Sequence, residues 1–452
     1  MDHGGRCAPQ RDCGACSGMG CSGIRHSAHG RRLPGSLCQA LGGASGNEPA
    51  SAGGGAMRIA YVTSQFPYGP GEAFLEAEAA ALAELGGELL LVPARPKSLE
   101  SQYPDLHARS IRLAPYAAHT LLLAAGEMLR SPIRAVSLLA RLIGARCRLP
   151  AKLKNLALYP KALAVASTLR SERIEHIHAH WLSTPSTIAY LASELTGIPW
   201  SCTAHRFDIF EENLLPAKLA SARFVRAISA RNRALVMARG NGSSAERCTV
   251  VHMGVRLRGI SPEPAEHACL RLVCAASLVP VKGHRYLIEA LARLRDRGLS
   301  FRCDVIGDGP LRDAIAQQIG GRHLEPFVRL CGNVPHESLL ADLTAGVYDV
   351  AVLASTESGT EFEGIPVALM EAMAAGLPCV ATCTGSIPEL IDGESGSLLV
   401  PQRDTLALAA AIAAFADPAR RSAARRLARG RIAHAFDVRK TAERLYHMMS
   451  AV

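Results

Sequence analysis

Glu363 and Glu371 stand eight residues apart in Glu361-Phe-Glu-Gly-Ile-Pro-Val-Ala-Leu-Met-Glu371, where Gly364 and Pro366 mark a turn into a helix. Proline suits the first helical position. Gly376 and Pro378 then stop the helix near Ala375. A helix start presents free amides and the positive end of its dipole to phosphate oxygens. Carboxylates beside it can accept hydrogen bonds from sugar hydroxyls, so the pair suits a nucleotide sugar. The plainer reading of the same pattern is two solvated or capping glutamates. His205, in Thr203-Ala-His205-Arg-Phe-Asp208, follows the strand-like Trp200-Ser-Cys202; by type alone it is a structural or a reacting imidazole. His176, His178 and His180 alternate on one strand face, a pattern able to bind zinc. Gly69 and Gly71 allow a ligand close to the backbone at the first strand–helix turn, or simply make that turn tight. Glu76 and Glu78 behind them can meet hydroxyl groups or solvent.

These residues need elements to hold them. Arg58 to Ser64 is a β-rich run, followed by the turn Pro67-Tyr-Gly-Pro-Gly71 and a helical stretch from Glu72 to Leu85. The plan recurs from Arg271 to Ser277, with a turn ending at Gly283 and a helix over about 285–297. Short buried strands alternating with helices signal βαβ units and parallel sheets. The spacing therefore predicts two doubly wound Rossmann-like domains facing a cleft. Expected boundaries are a leader over 1–56, a first domain over 57–255, a linker over 256–267, a second domain over 268–430 and a terminal helical segment over 431–452. Further strands are expected at Glu88–Val92, Ile174–His178 and Phe224–Ile228, then at Phe301–Ile306, Val328–Cys331, Val350–Ala354 and Cys379–Ala381. Neither half opens with GxGxxG or GxxxxGK[ST], which disfavours nicotinamide, flavin and P-loop chemistry.

Composition narrows the classes further. The 452 residues are 48% apolar and 20% charged, ordinary for a folded chain, with a net charge of +10. Aromatic residues are 5%, thin for single-strand stacking platforms, and no nucleic-acid module is recognisable. No apolar run reaches the roughly 18 residues of a membrane-spanning helix, and residues 1–56 lack the apolar core of a signal peptide. The 14 cysteines are too dilute for a disulfide scaffold, which points to a reduced, cytoplasmic protein. Cys13 and Cys16 form a CxxC near Cys7 and Cys21, with no second ligand pair at zinc spacing.

The segment from Glu361 to Pro378 resembles the signature of retaining glycosyltransferase family 4, whose members have the two-domain GT-B fold. Gly385-Ser-Ile-Pro-Glu389, Gly393 to Pro401, Val305 to Pro310 and Gly332-Asn-Val-Pro-His336 are similar to that family too. Ser64 to Glu76 and His178-Ala-His-Trp181 resemble its colanic-acid and exopolysaccharide members. The resemblance implies that Glu363 holds donor-sugar hydroxyls and that the amides of Gly364, Ile365, Pro366 and Val367 meet the sugar and diphosphate (Pro366 itself supplying only the turn). It implies that Glu371 binds the ribose diol, that Asn333 and Val334 cradle the base and that Lys282 neutralises the leaving diphosphate. His205 would face the cleft near sugar and acceptor, with Asp208, Gly69 and Gly71 on the acceptor side. The family usually carries an arginine where this chain has Ser277; Arg285 or Arg231 could substitute.

The expected activity is thus a retaining transfer from a nucleotide-diphosphate sugar to a glycan or a polyprenyl-diphosphate-linked acceptor, in exopolysaccharide or cell-surface polysaccharide biosynthesis. No Asp-x-Asp ends a strand, so no metal and no further cofactor are expected. The alternatives are a nucleotide-sugar epimerase of the same fold and a degenerate donor-binding protein, the latter motivated by Ser277. Between Glu127 and Arg170 nine basic residues face the single acid Glu127 among interleaved leucines and alanines. That stretch is either a surface for anionic membrane or a solvated face of packed helices.

Overall fold

Strands that are apolar on both sides can pair only within a sheet that helices cover on both faces. The computed structural model describes residues 56–69, 72–98, 100–101, 103, 110–240, 246–259 and 269–451, and holds two such sheets. The first half runs β1 (Arg58–Thr63), α1 (Leu75–Glu84), β2 (Glu88–Pro93), α2 (Ala118–Arg130), α3 (Pro132–Gly144) and α4 (Leu149–Ser171). It continues through β3 (His176–His180), α5 (Thr184–Thr196), β4 (Trp200–Ala204), α6 (Arg206–Glu211), α7 (Leu215–Ser221), β5 (Phe224–Ala227), α8 (Ala230–Arg239) and β6 (Cys248–Val250). The second half runs β7 (Leu270–Ala275), α9 (His284–Asp296), β8 (Phe301–Ile306), α10 (Arg312–Gly321), β9 (Val328–Gly332), α11 (His336–Thr344) and β10 (Val350–Leu353). It ends with α12 (Val367–Ala374), β11 (Cys379–Thr382), α13 (Ile387–Leu390), β12 (Leu398–Val400), α14 (Thr405–Ala413), α15 (Pro418–Ala435) and α16 (Val438–Ser450).

The strand orders are β2-β1-β3-β4-β5-β6 and β12-β11-β10-β7-β8-β9, with the strand pairs parallel. Each sheet reverses its winding once, between β1 and β3 and between β7 and β10. Such a switch point leaves a crevice beyond the strand carboxyl ends.

Several boundaries differ from expectation. Helix α1 starts at Leu75 rather than Glu72, because the buried Glu72 carboxylate accepts the amides of Ser64 (3.1 Å) and Phe66 (2.7 Å) and holds the turn open. The short edge strands β6 and β12 were not anticipated, since three residues carry too little periodicity. The expected division at 430/431 falls inside α15. The terminal helix is not a separate appendage either: Val255 N–H donates to Phe436 O (2.9 Å) and Val438 N–H to Val255 O (3.1 Å). Helix α16 thereby returns to α1, and one apolar cluster joins Leu75, Phe436 and Leu445 to Met370 and Ile387. The expected leader, its CxxC, Gly71 and most of the linker lie outside the described residues.

Two glycines set how closely the loops after β7 and β11 approach the loop after β10. Gly283 (φ +65°) lies so near β10 that a Cβ would stand 1.9 Å from Ala354 O. Gly385 (φ +56°) would place one 1.8 Å from Glu363 O. Each change to alanine is expected to cost about 2 kcal/mol or more through left-handed strain and the forced shift. Gly393→Ala, with open space around it, should leave the melting temperature near wild type. Equal thermal midpoints for all three variants would contradict this account.

Candidate active site

The loops after β7 and β10, neighbours across the second switch point, meet in a charge pair. Lys282 Nζ stands 2.6 Å from Glu363 Oε2, which also accepts the Ser355 hydroxyl at 3.2 Å. Lys282 and Glu363 are each partly exposed, as are Gly364, Ile365 and Val367. Pro366 is buried and starts α12; the Leu369 and Met370 amides close back on its carbonyl, and no side chain caps the helix. One turn into α12, Glu371 Oε1 lies 2.7 Å from His336 Nε2. The bond to Glu371 holds the His336 imidazole above its usual range.

Between Glu371 and the first half lies a cavity of about 310 Å³, lined among others by Phe74, Tyr103, Arg256, Arg258, His336 and Glu371. Val334 packs on the shared apolar cluster beside it, while Asn333 is exposed in the same loop. A larger concavity, about 910 Å³, involves His119, Arg130 and Arg173. It opens near Ile174 and Ile198, ahead of β3 and β4, and so lies at the wrong end of the sheet for the residues described above.

Ser277 is exposed and brings no charge. Neither substitute named from the sequence is unengaged. Arg285 turns back on Tyr286, donating to its hydroxyl at 2.7 Å. Arg231 is paired with Glu357 at 2.9 Å and lies over the Phe362 ring. Arg206, which sequence reasoning passed over, is buried and crosses from the first half to donate to Thr360 O at 3.0 Å. Its guanidinium lies 4.0 Å from Glu361. Burial draws its pKa down, while Glu361 and Glu363 pull the other way. The signal was its place directly after His205.

On the first-half side a chain of hydrogen bonds leads inward from His205. Arg226 Nη1 donates to Glu78 Oε2 (2.6 Å), and Glu78 Oε1 accepts the Tyr61 hydroxyl (2.7 Å). With Tyr61 donating there, its oxygen accepts from His180 Nδ1 (3.2 Å). The His180 Nε2 lone pair then accepts from His205 Nε2 at 2.7 Å. Burial, with Arg226 adding to it, holds His205 at about 3, and burial holds His180 well below its usual range. Both rings are therefore neutral at pH 7. His205 also shares a capping box with Asp208 at the start of α6, so both ring nitrogens are engaged and no free Nε2 remains.

Other first-half expectations change. Asp208 is buried, and its carboxylate accepts the amides of Leu182 (2.6 Å) and His205 (2.8 Å). Burial pushes it up to about 8 against the pull of those amides. It fastens two loops and does not present itself to an acceptor. Glu78 is likewise neither solvated nor facing a ligand, and Glu76 pairs with Arg256 at 2.8 Å. Gly69 is buried, with its missing side chain turned to Gln65 Oε1. His176 and His178 both reach Ser201 Oγ (2.7 and 2.8 Å), and His178 Nε2 reaches Thr203 Oγ1 (2.9 Å). Among the described residues no group of three or more His, Cys, Asp or Glu side chains could hold a metal ion.

The family described as "Glycosyl transferases group 1" matches residues 269–417, which hold Lys282, Glu363 and Glu371. A putative colanic acid biosynthesis glycosyltransferase, WcaL of Escherichia coli K12, is 38% identical over 177 residues. The amylovoran biosynthesis glycosyltransferase AmsK of Erwinia amylovora is 38% identical over 172 residues. These matches span 38% and 37% of this chain, and only 43% and 42% of the relatives. Among solved structures, Anabaena HepE in complex with UDP-glucose covers 88% of this chain and 100% of its own. It superposes with a TM-score of 0.65 at 18% identity, and a glycosyltransferase from Rickettsia africae with 0.64 at 15%. The fold is GT-B, as the sequence motifs imply.

The neutral histidine ladder fixes how stability should depend on pH. Unfolded imidazoles bind protons below about 6.5, whereas the folded rings of His176, His178, His180 and His205 are held well below that. The unfolded state therefore binds more protons as pH falls, and stability falls with it. At pH 5 each ring should contribute about 2 kcal/mol of destabilisation relative to pH 7. Asp208, raised to about 8 by burial, offsets about one ring's share, because over the same interval the folded state holds its proton and the unfolded state does not. Denaturant unfolding at both values tests this; equal stabilities would rule out the neutral ladder.

Proposed function

With a group 1 glycosyltransferase domain at residues 269–417, we propose that the chain transfers a sugar from a nucleotide-diphosphate donor to a glycan or polyprenyl-diphosphate-linked acceptor, with retention at the anomeric carbon. Exopolysaccharide or cell-surface polysaccharide assembly is the setting, in keeping with the names of WcaL and AmsK. The carrying observation is the Lys282–Glu363 pair at 2.6 Å on the switch-point loops of the second sheet. There a sugar diphosphate meets a carboxylate for its hydroxyls and an ammonium for its phosphates at once. Glu371, at the end of the 310 Å³ cavity, takes the ribose diol in exchange for His336, and the loop at Asn333 and Val334 takes the base.

In the reaction the bond from the anomeric carbon to the donor phosphate oxygen breaks and the nucleoside diphosphate leaves. The acceptor oxygen bonds the same carbon from the same face, and its proton passes to the departing phosphate. His205 does not take that proton, because its Nε2 is occupied by His180. Arg206 supplies the second cation that Ser277 lacks, reaching the leaving group from the opposite half. With Lys282 and the start of α12 it neutralises the diphosphate, and no metal ion is required. Among the described residues no helix is long and apolar enough to cross a membrane. The reading is of a cytoplasmic enzyme that meets a lipid-linked acceptor at the membrane surface.

A thermal-shift screen of UDP-, GDP- and ADP-sugars should find one class that raises the midpoint, as ligands binding only the folded state do. Transfer with that donor should survive EDTA; loss on chelation and rescue by manganese would refute metal independence. Arg206→Gln should lower kcat by about a hundredfold, the usual effect of removing one charge-stabilising donor. Donor binding without transfer, unchanged by Glu363→Ala, would instead identify a binding protein.

A further inference from the structure

Helix α3 is apolar on two sides. Ala135, Leu138 and Leu142 enter the core, while Ile133, Val136 and Ile143 form a second stripe that faces outward. Residues three, seven and ten apart share one helix face, so the outward stripe is continuous. Leu149 and Leu153, in the first turns of α4, are exposed beside the Ile143 end of that stripe, and Leu122 and Leu129 are exposed on α2. Ile133 is 84% exposed, Leu129 83% and Leu149 67%. Elsewhere among the described residues the exposed large apolar side chains stand singly, at positions such as Leu85, Val347 and Leu406. An apolar face of this extent marks an interaction surface rather than ordinary scatter.

Its charge selects the partner. Arg134, Arg146, Arg148 and Lys154 are exposed around the stripe. The only acid on α2, α3 and α4 is Glu127, which is buried and meets Arg170 at 3.3 Å. A second copy of this chain would oppose two faces of the same sign. An anionic lipid surface satisfies both properties, because helices of this kind lie in the interface with apolar residues inward and cations at the headgroups.

The position of the face relates it to the cleft. Helix α4 leads into β3 as a crossover and so begins beside the strand carboxyl ends. Asn155, in its second turn, bonds Asn213 at 2.7 Å and Thr187 at 3.2 Å, in the segments that follow β4 and β3. Lys152 Nζ donates to Ile143 O at 2.9 Å and fastens the end of α3 to the same place. Ile143, Leu149 and Leu153 therefore flank the mouth of the first-half site.

We propose that this α2–α4 face docks on an anionic phospholipid bilayer and holds the first-half side of the cleft at the membrane, where a polyprenyl-diphosphate acceptor is presented. The docking surface stands on its own residues, while its purpose rests on the acceptor reading above.

Co-sedimentation of the full chain with phosphatidylcholine vesicles, with and without phosphatidylglycerol, tests the proposal. Binding should require phosphatidylglycerol and weaken as salt is raised. Arg146→Gln, Arg148→Gln and Lys154→Gln together should reduce it about a hundredfold, since each cation near an anionic surface contributes about a fivefold factor. Ile143→Asp, Leu149→Asp and Leu153→Asp together should reduce it about tenfold or more. All six positions are exposed, so both variants should keep the wild-type melting temperature and donor-induced thermal shift. Equal binding to both vesicle types, or binding that survives both variants, overturns the proposal. A dimer in sedimentation velocity that the aspartate variant abolishes, with no vesicle binding, assigns the face to a second copy instead. Vesicle binding without any donor shift would leave the docking face standing and refute the transferase reading.

Discussion

Arg226 and Glu78 meet at 2.6 Å with both side chains fully buried. Removing either partner of such a pair leaves an uncompensated charge, at a cost of about 3–5 kcal/mol. The cost is avoided here by complete hydrogen bonding. Arg226 also donates to the carbonyls of Val251 (2.9 Å) and His252 (2.7 Å), and Glu78 completes itself on Tyr61. One pair thus ties α1 to β5, fixes the segment after β6 and orients the rings of Tyr61, His180 and His205. The segment it fixes carries His252, which meets Glu389 of the second half at 3.0 Å. Burial would raise the Glu389 carboxyl, but His252 and the amides of Ala230 and Arg231 outweigh it and hold it low.

Parallel sheets dictate where the chemistry lies. Every strand delivers its loop to one edge, and the switch points open that edge into a crevice. In the second half this brings Lys282 and Glu363 together from positions 81 residues apart. In the first half it brings the rings of Trp181 and His205 together, tilted by 31° with centroids 4.1 Å apart. The cations are shared across the cleft: Lys282 comes from one half, Arg206 and Arg231 from the other. A site assembled in this way depends on both halves meeting, so the Glu389 and Phe362 contacts that join them belong to the machinery as much as the charged groups do.

Much of this was legible before any coordinates. The alternation of short apolar runs with helical stretches marked both sheets, and most strand ends fell within a residue or two of their observed places. Glu363, Gly364, Pro366 and Glu371 were recognisable because a turn, a helix start and two carboxylates occupy a single stretch. Reading failed where a charged residue had been judged by sequence neighbours alone. Glu78 looked like a surface residue of α1, Asp208 like an acceptor ligand, and Arg226 was lost inside a strand. Lys161 was counted in the basic surface over 127–170 and Lys218 passed over for the same reason: both are buried, and each satisfies its ammonium on backbone carbonyls that lie far off in sequence.

What the sequence determined by itself was local: periodicity, turn chemistry, the stretch from Glu363 to Glu371 and the basic, acid-poor run over 127–170. These follow from interactions between residues a few positions apart, and a pattern of residue types records them. The tertiary structure alone decided which charges are buried and paired, which nitrogen of His205 is occupied and that Arg206 reaches across to Thr360 of the second half. It also decided that the Ile143 end of α3 is fastened to the start of α4. Those outcomes depend on desolvation and on distances between segments brought together by strand order, and no spacing along the chain encodes a distance across a sheet.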